Sequence, residues 1–257
     1  MKKLNSFLLF TITILFFSTI NQGQDLKSTL DKADSLSDAF NFKGAISLLE
    51  NAAKTNPNDW QILWRLSRDY VYVGNAIKDD DKREATYEKA YAIADRAVKA
   101  GPDQAVTYLR RAIANGKIAL SKGVFSVGGI VNAAREDLKK AISLGNGGNY
   151  VQAVAHYVLG RTHAKVSEKW KPARSVLGLG WADLDVALKE YQKAIDLYPN
   201  FVMFYVDYAK AEMRNDNYEH AKILLEKALV IPNKDFDDPK MKEEAKKLLK
   251  EVNEELS

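Results

Sequence analysis

Apolar residues recur along this chain at alternating spacings of four and three, inside segments that are otherwise polar. Residues four and three apart share one face of an α-helix, so each group predicts a helix with a narrow packing stripe. The first and last members are small, which lets two helices approach closely. The five groups are Ala45-Leu49-Ala52, Ala90-Ala94-Ala97, Ala134-Leu138-Ala141, Ala187-Tyr191-Ala194 and Ala221-Leu225-Ala228.

A helix-breaking residue follows each group and ends the predicted helix. The breakers are Pro57, Pro102, Gly145-Asn146, Pro199 and Pro232. Small-residue stripes in paired helices, recurring after 34 residues or more, are typical of the tetratricopeptide repeat. We therefore predict an all-α helical-hairpin solenoid of about five repeats. They lie near residues 26–59, 60–104, 105–149, 150–200 and 201–235, and an amphipathic Lys/Glu-rich segment, 240–256, forms a C-terminal capping helix.

The N-terminus predicts export. Lys2 and Lys3 precede an uncharged, largely apolar run that continues to Gln24, which is typical of a signal peptide spanning residues 1–24. Gly23 is the candidate cleavage position. An uncleaved membrane anchor is the alternative, and membrane association is expected only in that case. The chain has no cysteine, so a bacterial lipid anchor and disulfides are excluded. The expected location is periplasmic or envelope-associated.

Charge and motifs argue against several classes of function. The formal charge is +4 and falls by two, to +2, when Lys2 and Lys3 are removed, which is too small to predict nucleic-acid binding. The three histidines, His156, His163 and His220, have no acidic or cysteine partner at a ligand spacing. We therefore expect no catalytic residue, metal site or cofactor.

The first helices of the repeats are expected to form the wall of a concave groove. On these helices, positions five, nine and thirteen alternate between apolar or aromatic residues and Arg or Lys. Such a surface suits a carboxylate or phosphate group attached to an extended or apolar body. The predicted groove residues are Trp64, Arg68, Tyr72, Leu109, Ile113, Lys117, Tyr157, Arg161, Lys165, Lys210 and Arg214.

The middle repeats are longer than 34 residues, and the insert at residues 170–181 has an unusual composition. Two tryptophans, several aliphatic residues and two glycines make it unlike a disordered linker. Trp170, Leu177, Leu179 and Trp181 could form a lid or wall over the groove. The alternative is that the insert covers the edge between the fourth and fifth repeats.

Some of these segments resemble a known family. The run from His156 to Arg161, then Trp170, Ala173-Arg174, Leu177-Gly178 and Pro199, together with Leu63 to Arg68, is similar to the regulator of microtubule dynamics family. The similarity covers roughly residues 28–252 and is greatest to bacterial exported members. It implies a binding domain; animal members are associated with microtubules, and one with membrane contact sites and phospholipids. A microtubule role does not transfer to an exported chain.

Two functions remain. The first is a non-catalytic exported module that holds a protein or peptide segment, through an acidic or carboxylate group, in the basic-aromatic groove. The alternative is a carrier of an anionic lipid or other amphiphile, which requires a closed apolar cavity walled by the 170–181 insert.

Overall fold

The computed structural model describes residues 25–122 and 128–257, and these are helical throughout apart from turns and short connections. The helices are α1 (residues 25–38), α2 (Phe42–Thr55), α3 (Trp60–Ala76), α4 (Asp80–Ala100), α5 (Ala105–Lys122), α6 (Gly128–Leu144), α7 (Gly148–Ser167), α8 (Lys171–Val176), α9 (Leu184–Leu197), α10 (Val202–Met213), α11 (Tyr218–Val230) and α12 (Asp238–Glu255). The all-α solenoid is confirmed. The predicted signal segment lies outside the described residues.

Polar side chains at the helix starts explain where several helices begin. The carboxylate of Asp59 accepts hydrogen bonds from the backbone N–H groups of Gln61 (2.8 Å) and Ile62 (3.2 Å) at the start of α3. Asp183 and Asn217 cap α9 and α11 in the same way. Each cap satisfies an N–H group that the first helical turn leaves without a partner.

The helices pack as consecutive antiparallel pairs, with α3 on α4, α5 on α6, α7 on α9 and α10 on α11. The small-residue stripes lie at these contacts. Ala90, Ala94 and Ala97 on α4 are all fully buried, as are Ala221, Leu225 and Ala228 on α11. In the hairpin of α1 and α2, Ala33 and Leu49 are equally buried. Close approach through small residues therefore holds each pair together.

The C-terminal helix α12 packs against both α10 and α11. Met241, Ala245 and Val252 face inward, whereas most of its Lys and Glu side chains are exposed. This arrangement shields the apolar edge of the last hairpin from solvent, as the end of a repeat array requires. In the described part of the chain, no helix is both long and apolar enough to cross a membrane.

Candidate functional site

The first helices of the hairpins border a cavity of about 730 Å³, which we call the aromatic cavity. It extends along α3 and past the C-terminal end of α1 and the N-terminal ends of α5 and α7. Asn146 and Gly147, in the glycine-rich turn before α7, form part of its wall. Its aromatic lining residues include Trp60, Trp64, Tyr72, Tyr150, Tyr198 and Phe201. A half-open cavity with aromatic walls is the usual form of a ligand-binding site.

The connection between α11 and α12, residues 231–237, crosses to the N-terminal hairpins; we call it the strap. The Phe236 ring centroid lies 5.7 Å from that of Phe40 and 5.9 Å from that of Phe42. Phe42 in turn stacks on Tyr72 at 4.5 Å, with the ring planes 3° apart. Lys234 and Asp235 of the strap line the aromatic cavity. The strap therefore closes one end of the groove.

Three guanidinium groups surround the indole ring of Trp64. Their central carbons lie 4.3 Å (Arg65), 5.2 Å (Arg68) and 5.5 Å (Arg110) from the ring centroid. Arg65 and Arg68 both form ion pairs with Asp34, at 2.7 Å and 2.9 Å. Burial acts to raise the pKa of Asp34, but these two arginines hold it below its usual value. Carboxylates thus compensate two of the three cations.

Arg110 is the third cation, and it has no such partner. Its side chain lines the aromatic cavity and the residue is 9% exposed, yet it forms no hydrogen bond or ion pair with any described residue. Burial lowers the pKa of Arg110, and Arg68 acts in the same direction. A guanidinium nevertheless remains charged at neutral pH. The Arg110 guanidinium is therefore a positive charge at the cavity wall without an ion-pair partner.

A second cavity of about 140 Å³, the apolar cavity, lies along the C-terminal halves of α5 and α7. Its walls are mostly aliphatic, and Leu120, which is 61% exposed, lies at its opening. Lys117, Arg161 and Lys165 are its cationic lining residues. It combines an apolar interior with a basic rim.

A third cavity of about 290 Å³, the polar cavity, lies between α5, α7, α10 and α12. At its centre the buried carboxylate of Asp207 accepts a hydrogen bond from Tyr157 Oη (2.7 Å) and pairs with Arg161 (3.2 Å) and Lys210 (3.1 Å). Burial acts to raise the pKa of Asp207, but Arg161 and Lys210 keep it below its usual value. This network engages Arg161 and Lys210, two of the cations that the sequence assigns to the groove.

The structure divides the predicted groove residues among these cavities. Trp64, Arg68 and Tyr72 line the aromatic cavity. Those lining the apolar cavity are Ile113, Lys117, Arg161 and Lys165, and Lys210 lines the polar cavity. Arg214 instead donates to the carbonyl oxygen of Ala164 at 2.9 Å, near the end of α7.

Two predicted groove residues are in the core, so their assignment is wrong. Leu109 is completely buried and Tyr157 is 4% exposed, and both belong to the main hydrophobic cluster. Arg110, the neighbour of Leu109, reaches the cavity instead. The repeat pattern did not identify Arg110 as a cavity residue. It follows directly after a core position, and successive side chains on a helix point about 100° apart.

The 170–181 insert packs on α6 and α7, and its prediction as a lid or wall is not supported. Leu179 is completely buried, and Leu177 and Trp181 pack in the same cluster as Val131 and Val166. Trp181 Nε1 donates to Asn132 Oδ1 at 2.7 Å, whereas Trp170 is 75% exposed. No insert residue lines any of the three cavities. The alternative, coverage of the edge between the fourth and fifth repeats, is wrong in its location, because the insert contacts Val131 and Asn132 of the third repeat.

Each histidine contacts a polar group of a neighbouring helix or turn. His156 Nδ1 lies 2.5 Å from a Glu190 carboxylate oxygen, and His220 Nδ1 lies 2.8 Å from one of Glu212. His163 Nδ1 accepts from the backbone N–H of Asp183. Among the described residues no group of three His, Asp or Glu side chains is placed to hold a metal ion.

The stacked hairpins and the ligand-sized groove define a tetratricopeptide-type scaffold, a class of fold that is generally non-catalytic. The chain belongs to the family described as regulator of microtubule dynamics protein 1-3, whose family model matches residues 29–253.

Solved structures of other tetratricopeptide-type proteins are similar to this fold. TTC0263 from Thermus thermophilus has 20% sequence identity over 85% of this chain and 97% of its own, with a TM-score of 0.61. PilW, described as a widely conserved type IV pilus biogenesis factor, has 14% identity over 90% of this chain and 91% of its own, with a TM-score of 0.56. No match was found among curated proteins.

Proposed function

We propose that this protein is a non-catalytic exported scaffold that holds a protein or peptide segment in the aromatic cavity and binds a carboxylate of that segment through Arg110. The observation that carries the proposal is the buried guanidinium of Arg110, which lines a cavity of about 730 Å³ without a carboxylate partner. Burying a charge without a partner destabilises the folded protein, and a bound anion would remove this cost by pairing with the guanidinium.

The surroundings of Arg110 favour a segment with apolar or aromatic side chains. Trp64, Tyr150 and Phe201 present ring surfaces to the same cavity. Rings of this kind supply large contact areas with little loss of conformational freedom. A guanidinium can bind a carboxylate through two parallel hydrogen bonds, which fixes the orientation of the segment.

The proposal is tested with a library of fluorescent peptides that contain acidic and aromatic residues, screened by fluorescence anisotropy. Peptides that bind are then measured against Arg110→Met and against a control, Arg96→Met, which removes an exposed arginine of α4 outside the cavity. We expect Arg110→Met to weaken binding about tenfold or more, since it removes a hydrogen bond to a charged group, and Arg96→Met to have no effect. Equal binding by Arg110→Met would exclude the proposed role of Arg110, and a screen without binders would count against peptide holding itself.

Export is part of this proposal. The basic and apolar segment before residue 25 supports it, and N-terminal sequencing of the protein from fractionated cells tests it. A mature N-terminus next to Gly23, in the envelope fraction, is the expected result. Retention of residues 1–24 on a membrane-bound protein would indicate an anchor instead.

A carrier of an anionic amphiphile is the second candidate, and the apolar cavity is the observation that favours it. This cavity is not walled by the 170–181 insert, as the sequence led us to expect of a carrier. The aliphatic side chains of Ile113, Val131 and Val158 could contact an acyl chain, with its headgroup near Arg161 and Lys165. Native mass spectrometry followed by lipid extraction, on protein purified from its own envelope, distinguishes the candidates. A co-purified lipid of defined mass favours the carrier, and an empty protein favours the peptide scaffold.

A further inference from the structure

Lys117 lies where the apolar and polar cavities meet and lines both of them. It is on α5, one helical turn after Ile113, and it is partly buried. No residue in the described part of the chain forms a hydrogen bond or an ion pair with its amine. Lys117 is therefore a cation without an ion-pair partner at the junction of two cavities.

The carboxylates around Lys117 are engaged with other groups. Asp207, on α10, pairs with Arg161 of α7 and with Lys210. Glu244, on α12, pairs with Lys210 as well. Asp235 of the strap accepts from Tyr72. These contacts leave no carboxylate in contact with the Lys117 amine.

The remaining charged and titratable groups near Lys117 act from a distance or are bonded elsewhere. Asp237 of the strap attracts its charge without touching it, and Lys240 of α12 repels it. Tyr87 of α4 donates to Asn75 of α3 at 3.0 Å. Burial, followed by the positive charge of Arg161, lowers the pKa of Lys117 to about 8. About a tenth of this amine is therefore neutral and nucleophilic at pH 7, which is far more than for an ordinary lysine.

We propose that Lys117 is a covalent capture site for aldehydes with a short aliphatic chain, which enters the apolar cavity. The lone pair of the neutral amine attacks the carbonyl carbon, forming a C–N bond while the C=O π electrons move to oxygen. A proton passes from nitrogen to that oxygen and gives a carbinolamine. Loss of the hydroxyl group with a second proton, as water, leaves an imine. No oxidant or reductant is needed, and hydrolysis reverses the reaction.

The geometry explains why the aldehyde should prefer this lysine. Lys117 lines the same cavity as the aliphatic side chains of Ile113, Val158 and Val166. An alkyl chain is therefore desolvated there when its carbonyl reaches Nζ. Lys165, at the rim of the same cavity, pairs with Glu168 at 3.0 Å and is half exposed. An aldehyde at Lys165 would gain no such burial.

The test uses hexanal as the probe. The full-length mature protein is incubated with hexanal and cyanoborohydride, which reduces the imine to a stable secondary amine, and alkylation of each lysine is measured by peptide mass spectrometry. We expect Lys117 to be alkylated about tenfold or more faster than Lys165, with a rate that rises with pH and levels off above about pH 8. Labelling of Lys117 at the rate of the exposed lysines would overturn the proposal.

Two variants separate chemistry from general accessibility. Lys117→Arg keeps the positive charge but cannot form the imine, and should lose the fast alkylation. Gly116 lines the apolar cavity, and a Cβ atom added there would meet nothing within 4 Å. Gly116→Leu should therefore fold, fill part of the cavity and slow hexanal at Lys117 several-fold, while formaldehyde, which has no chain, reacts as before. Equal slowing of both aldehydes would contradict the role of the cavity.

Discussion

Tyr72 Oη donates a hydrogen bond to Asp235 Oδ2 at 2.8 Å and thereby joins residues 163 positions apart. In a repeat array each unit normally contacts only its neighbours. Here a connection from the C-terminal end of the array packs on the second hairpin through Tyr72 and on the first through Phe40 and Phe42. The two ends of the solenoid are therefore coupled, and the aromatic cavity lies between them.

Tyr72→Phe should lower the free energy of unfolding by about 1 kcal/mol, because it removes one partly buried hydrogen bond and keeps the stacked ring. Asp235 retains the bond that it accepts from the backbone N–H of Asp237 at 3.1 Å, which limits the loss. Urea unfolding measures this change, and hydrogen exchange should become faster in the strap.

Tyr70→Phe is the matched control, since Tyr70 bonds to Glu50 near the surface and does not contact the strap. It should leave exchange in the strap unchanged. If both variants gave the same exchange pattern, closure of the groove by the strap would not depend on Tyr72.

Gly160→Ala should destabilise the contact between α7 and α9. A Cβ atom at Gly160 would lie 3.0 Å from the carbonyl oxygen of Ala187 and 3.3 Å from Cδ1 of Tyr191. The expected loss is about 1–3 kcal/mol. Gly116→Ala, in an open position on α5, should instead raise stability by up to about 1 kcal/mol through helix propensity. Thermal unfolding measures the change in melting temperature of each variant, which should be a decrease for Gly160→Ala and an increase for Gly116→Ala. Equal melting temperatures would refute the close approach at Gly160.

Asp207→Asn should cost up to about 3 kcal/mol, since it leaves Arg161 without a carboxylate and Lys210 with Glu244 alone. The pKa of Asp207 is lower in the folded protein than its ordinary value of 3.8. Its contribution is therefore complete above about pH 4 and is lost as the pH falls through the folded-state pKa.

The variant should consequently lose less stability on acidification than the wild type. Urea unfolding as a function of pH measures this difference. Glu243→Gln, which removes the exposed ion pair with Lys246, is the control. It should leave the loss of unfolding free energy at acidic pH nearly unchanged. An Asp207→Asn profile parallel to that of the wild type would contradict the assigned role of the carboxylate.

Arg110→Met should raise the melting temperature of the ligand-free protein, because it replaces a buried, uncompensated charge by an apolar side chain of similar length. We expect a gain of about 1 kcal/mol or more in the free energy of unfolding. Differential scanning calorimetry measures it. A marked loss of stability would mean that Arg110 has a structural partner, and the basis of the proposed peptide site would then disappear.

The stripes of small residues correctly predicted the helices and the solenoid, because both depend on local periodicity. Ala94, Leu138 and Ala194 are fully buried where the pattern places them. The site was less predictable. Leu109 and Tyr157 were assigned to the groove from repeat positions alone, but in each case the rotation of the helix within the stack directs the residue into the core.

The amino-acid sequence by itself determined the all-α class, the helical hairpins and the family, since these follow from backbone hydrogen bonding and from spacings within a single helix. Only the tertiary structure decided that Arg110 has no carboxylate partner, that Arg161 pairs with Asp207, and that the strap closes one end of the groove. The physical reason is that compensation of a charge depends on which side chains meet across the stack. Contacts between residues as far apart as Tyr72 and Asp235 leave no periodic signal in the chain.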